Sequence, residues 1–280
     1  MTKFNDYLIT EGRGKFIKED EALNWIFKNC TQFIKWMNTG SGNIPRFISR
    51  SVGGKSNNPY WFVDPKKASE PRKSANTFNY YTLIMDNEPV WNRFPKRSQS
   101  LICLTDGYYM GEDTYLIFPK DGWRIGNTNK RDFWGTADKI DDHLDNMDDW
   151  VRMIDSLLNF DRRSNFIHYD KTLQQFKKRC EDFDEYINDG QDPKIDIKSI
   201  LYSEFRYRDV YMVFVDNYNG NLYKLCKSMI SPMVLGCTLK TVGQNLPMET
   251  EVWTDSPCVM INGLRWNNTV HKIKEKVLGK

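Results

Sequence analysis

Asn245-Leu-Pro-Met-Glu249-Thr-Glu251-Val-Trp253-Thr-Asp-Ser-Pro-Cys-Val-Met-Ile261 is the stretch on which the fold turns. A polar loop containing a proline runs into β-branched and aromatic residues, the composition of a strand. Glu249 and Glu251 sit two positions apart where the loop ends. If both belong to the strand, its period of two sets both carboxylates on one face. Paired carboxylates at a strand mouth can stabilise a cation and take a proton. A solvated pair on an edge strand has the same spacing. So does Glu19-Asp-Glu21, which reads as the acidic start of a helix.

Working outward, other segments read as strands. Residues 44–52, Ile-Pro-Arg-Phe-Ile-Ser-Arg-Ser-Val, begin one after a proline. There Arg46 and Arg50 are an even number apart and share a face, and an arginine facing into a sheet needs an anionic partner. Gly53-Gly54-Lys55-Ser follows but lacks the spacing of a phosphate loop. Tyr60–Val63 is a short apolar run. Pro95–Asp106 reads as a buried strand with hydroxyls at its two ends: Ser98, Ser100 and Thr105. Thr114–Phe118 is another, closed by Pro119 and the turn signal Asp121-Gly122. Residues 209–226 read as a hairpin around Asn217-Tyr-Asn219-Gly220-Asn221.

Helical spacing appears in three places and is expected in a fourth. Leu23, Ile26, Phe27, Cys30, Phe33, Ile34 and Met37 recur at three and four. Ile140, Leu144, Met147, Val151, Ile154 and Leu158 make a stripe over Asp138–Phe160, with aspartates mostly opposite. Those aspartates read as a solvated acidic face rather than a metal site. A further helix spans Lys171–Asn188, and the basic tail after Trp266 is expected to be helical. The expected fold class is α+β. Its core is a split mixed or antiparallel sheet, with an N-terminal helix and an inserted helical hairpin. One domain, 1–280, would hold a helical N-terminal part (1–40) and a helical insertion (138–190).

Composition narrows the function classes. Forty basic and 37 acidic side chains leave a net charge of +3, too balanced to imply nucleic-acid binding. Nine tryptophans and fourteen tyrosines argue for a folded chain. The six cysteines form no CxxC pair and have no nearby histidine cluster, so no zinc site is expected; they read as buried, reduced thiols of a cytosolic protein. There is no apolar signal core at the N-terminus and no run of membrane-spanning length.

An arginine on an early strand, a hydroxyl-lined middle strand and Glu-x-Glu at the mouth of a late strand resemble, in that order, the mono-ADP-ribosyltransferases of the Arg / Ser-Thr-Ser / Glu-x-Glu type. The resemblance covers roughly 44–134 and 209–262. It implies NAD as substrate, no metal, and a protein acceptor, commonly an arginine side chain. Arg50, or Arg46, would hold the cofactor. Ser98, Ser100 or Thr105 would stand for the hydroxyl strand. Glu251 would be the catalytic glutamate and Glu249 the upstream one. Aromatics such as Tyr80, Tyr81 or Trp91 would stack on nicotinamide or adenine. The chain departs from that pattern in three ways: no serine-threonine-serine triplet is present, the arginine is not followed by glycine, and the helical hairpin at 138–190 would be an insertion between the core strands. Lys3-Phe-Asn-Asp-Tyr-Leu and Glu11-Gly-Arg-Gly also look like openings of tailed-phage proteins. That implies a host target, and residence in the host cytoplasm or with the virion.

Two other classes stay open. A non-enzymatic viral structural or host-protein-binding protein suits the high aromatic content. Cations with aromatics over 64–97 suit a nucleotide or nucleic acid, or only a solvated loop.

Overall fold

The computed structural model describes residues 14–39, 46–51, 58–67, 80–105, 114–142, 144–159, 172–189, 197, 200 and 215–278. The fold is α+β. The chain groups into two compact units: 1–72, 93–131 and 238–280 form the first, and 73–92 and 132–237 the second.

The first unit holds the sheet. Its strands are β1 (Gly14–Phe16), β2 (Ile48–Ser51), β3 (Tyr60–Val63), β4 (Leu101–Thr105), β5 (Thr114–Pro119), β6 (Arg124–Asn127), β7 (Thr238–Thr241), β8 (Glu251–Thr254) and β9 (Cys258–Asn262). They hydrogen-bond in the order β1-β3-β9-β5-β2-β4-β8-β6-β7, and every pairing is antiparallel. β2 is the bridge: it pairs with β4 on one side and β5 on the other. Trp61, Tyr115, Phe118, Val252, Met260 and Ile261 are buried along these strands.

Two helices stand where the periodicity predicts one: α1 (Glu19–Asn29) and α2 (Thr31–Met37). They part at Cys30. The Asp121 carboxylate, from the β5–β6 turn, accepts the backbone N–H groups of Gln32 and Phe33 at 2.7 and 2.8 Å. Capping those first-turn donors from outside starts a new helix. Ala22 and Ile26 of α1, and Phe33 and Ile34 of α2, are buried. Each large apolar side chain withdrawn from water stabilises by about 1.5–3 kcal/mol. The basic tail forms α7 (Trp266–Leu278), whose Thr269 hydroxyl lies 3.3 Å from the Tyr60 phenol.

The second unit is mostly helical. It contains α3 (Tyr80–Asn87), α4 (Met147–Leu158), α5 (Leu173–Asn188) and α6 (Leu222–Met229). α4 starts nine residues later than the stripe suggests, because Asn146 and Asp149 form a capping box there. Phe133–Lys139 is a 3-10 turn instead. Thr172 and Gln175 cap α5 in the same way.

Two expectations are corrected. Leu222–Cys226 is helix, not the second strand of a hairpin: the Asn221 side chain accepts the Lys224 N–H at 2.6 Å, so an apparent turn residue is a helix cap. Its expected partner strand, up to residue 214, lies outside the described residues. The hydroxyl strand is also shorter than read. Only Leu101–Thr105 is extended, and Arg97–Gln99 is a 3-10 turn, so Ser98 and Ser100 precede the strand. All six cysteines are free and buried. Among the described residues no helix is long and apolar enough to cross a membrane.

Candidate functional site

Thr105, the last residue of β4, builds the loop that carries the two glutamates. Its hydroxyl donates to the Pro247 carbonyl at 2.7 Å and accepts the Thr250 N–H at 3.1 Å. Its own N–H donates to the Thr250 carbonyl at 3.0 Å, and its carbonyl accepts from Glu249 N–H. Thr105 is fully buried, so its hydroxyl holds the loop.

The two glutamates do not share the strand. Glu249 is exposed in a bend at φ 54°, the left-handed region, and β8 begins at Glu251. Strand alternation therefore does not extend to Glu249. Glu251 is buried. Its carboxylate meets the Arg97 guanidinium at 2.7 Å, and neither side chain is more than 9% exposed. Arg97 also lies over the Trp253 ring, 5.5 Å from its centroid. Phe94 stacks on the same indole, whose N–H donates to the Pro95 carbonyl at 3.1 Å. Arg97 was unassigned in the sequence, and no local pattern couples it to a glutamate so distant in the chain.

The register decides which residues meet. Ser49 lies opposite Leu104, and Leu104 opposite Glu251, so these three share one face of the sheet. Arg50, one residue on, points to the other face. There its Nη1 donates to the Ile102 carbonyl at 3.4 Å. Burial pushes the Cys258 thiol well above its usual range, and Arg50 is the charge that pulls it back. Cys258 belongs to the same face as Arg50 by way of Tyr115 and Pro119. Arg50 and Glu251 are thus separated by the sheet itself.

Arg46 precedes β2 rather than lying on it, so its side chain is not bound to the alternation of Arg50. It donates through Nη1 to the Asn245 side chain, at the start of the loop that leads to Glu249. Ser98 is half-buried, and Ser100 is buried with its hydroxyl on the Lys96 carbonyl at 2.7 Å. Tyr80 and Tyr81 belong to the second unit and are buried there. Tyr80 stacks on Phe176 and donates to Asp155 at 3.0 Å, and Tyr81 stacks on Phe133. Trp91 is buried too, its indole N–H on the Ile230 carbonyl at 2.9 Å. These rings are core contacts.

No family of known proteins, no curated protein and no solved structure matches the chain.

Proposed function

We propose that the chain is an NAD-dependent ADP-ribosyltransferase that modifies a protein side chain, by preference arginine, of a host target in the host cytoplasm. One observation supports this most. β2, which Arg46 leads into, β4, which ends at Thr105, and β8, which begins at Glu251, are consecutive neighbours in the sheet. Three segments far apart in sequence fall side by side in the order the chemistry uses.

In this reaction the bond from nicotinamide nitrogen to the ribose C1′ breaks, and its electron pair leaves with nicotinamide. Positive charge builds on the ribose, as in glycoside cleavage. Glu251 is the carboxylate assigned to that charge. The acceptor nitrogen then bonds to C1′ and loses its proton, a step assigned to exposed Glu249. Arg46 takes the phosphate-holding role, because Arg50 lies on the other face. Arg97 must release Glu251 as substrate arrives.

The test is nicotinamide release by the purified full chain given NAD and a small guanidine acceptor. Release is expected. It falls by orders of magnitude in Glu251→Gln, while Glu249→Ala keeps hydrolysis and loses transfer. Absence of release by the natural chain, or full activity in a folded Glu251→Gln protein, overturns the assignment.

A non-enzymatic role, viral structural or host-protein-binding, draws on a different observation: the Glu251 charge is already committed to Arg97 in a buried pair. Such a protein gains no thermal stability from NAD, whereas a transferase does.

A further inference from the structure

A cavity of about 510 Å³ in the first unit is lined by Gln32, Lys35, Trp36, Thr39, Arg46 and Asn245. Ligand pockets typically measure about 300–1,000 Å³. Gly243 completes the wall. At φ 93°, with a Cβ that would sit 2.8 Å from Gln32 Cβ, it lets the turn after β7 approach α2 closely. Among the described residues the lining carries two cations, Lys35 and Arg46, and no carboxylate.

Arg46 uses Nη1 on Asn245. Its Nε and the indole N–H of Trp36 are buried and have no acceptor among the described residues. A buried donor without an acceptor costs about 1–3 kcal/mol. The negative end of α2 does not balance this charge, because its carbonyls are already taken. Met37 O accepts from Arg46 N–H at 2.7 Å, Trp36 O from the Thr39 hydroxyl at 2.8 Å, and Ile34 O from the Asn38 amide at 2.7 Å.

We propose that this cavity binds a small phosphate-bearing ligand, with Arg46 and Lys35 holding the phosphate and Trp36 forming one wall. A phosphate supplies the negative charge that Lys35 and Arg46 lack in this lining. The site stands whether or not the chain turns over NAD.

Calorimetric titration of the full chain with inorganic phosphate, adenosine monophosphate and NAD in separate arms is the test. Saturable binding of inorganic phosphate or the monophosphate is expected, weakening as salt rises. Arg46→Gln and exposed Lys35→Met should each cost about tenfold or more in affinity, at unchanged melting temperature for Lys35→Met. Binding of phosphate without NAD supports the site while counting against the transferase. No saturable binding of any of the three, or binding that Lys35→Met and Arg46→Gln leave unchanged, overturns it.

Discussion

Each unit encloses a glutamate, and the two are neutralised in contrasting ways. Glu251, in the first, meets the Arg97 guanidinium at 2.7 Å, and both side chains are buried. Glu88, in the second, is 6% exposed. It accepts from the Tyr223 hydroxyl and is flanked by Lys177 and Lys227, each 3.5 Å away. Those lysine side chains are 40% and 46% exposed, so water shares their charge. Burial pushes the Glu88 carboxyl up, but Tyr223, Lys227 and Lys177 together outweigh it and hold it below the usual carboxylate range. Tyr223 moves upward, from burial first and the Glu88 bond second. In the first pair the cation is as buried as its carboxylate. A rim cluster distributes the charge among several, and solvent tunes it.

Removing one half of the buried pair should do the most damage. Arg97→Met leaves Glu251 buried without the guanidinium that meets it, a loss of about 3–5 kcal/mol. The double variant Arg97→Met/Glu251→Leu should recover most of that, since two apolar groups need no counter-charge. Denaturant unfolding measures both. If the single variant costs under about 1 kcal/mol, Glu251 is reaching water, and the contrast with Glu88 fails.

Glu88→Gln is the matching change in the second unit. It keeps the shape and removes the charge, at a cost of about 1.5–3 kcal/mol near neutrality. The pH dependence follows from the sign. The folded Glu88 carboxyl titrates below its unfolded value of about 4.3, so its stabilisation is fully present above that pH and fades as pH falls through the folded value. Unfolding curves of the natural chain and Glu88→Gln should therefore converge in acid. A gap that stays constant down to strong acid contradicts the depressed carboxyl.

The same physics explains what the sequence made legible. Long stripes such as Leu173–Ile187 were readable because burial repeats at helical spacing within one element. So were Tyr60–Val63 and Thr114–Pro119, apolar runs that lie inside the sheet. β6, Arg-Ile-Gly-Asn, went unread: it is four residues long, and its glycine is needed because a Cβ at Gly126 would meet the Trp253 indole at 2.3 Å. The break at Cys30 depends on Asp121, and the cap at Asn221 was mistaken for a hairpin turn. In the candidate site the loop, the arginines and the Glu-x-Glu were visible. Which face each occupied was not, because one residue of register decides it. Arg97 was hidden for a related reason: its partner Glu251 is distant in the chain, and no local pattern announces the contact.

The smallest expected effect lies at the rim of the Glu88 cluster. Lys227→Met removes a cation whose head is nearly half in water, while Tyr223 and Lys177 remain on the carboxylate. Exposed pairs contribute about 0.2–1 kcal/mol, and the loss here belongs in that range. Salt separates it from the buried pair. At about 1 M ionic strength the screening length is about 3 Å, shorter than the 3.5 Å separation of Lys227 from Glu88. The Lys227→Met penalty should therefore vanish when unfolding is measured in concentrated sodium chloride, while that of Arg97→Met persists, because ions do not readily enter between two buried groups. Equal salt sensitivity in the two variants would mean that the exposure of the cation does not set how each pair responds to salt.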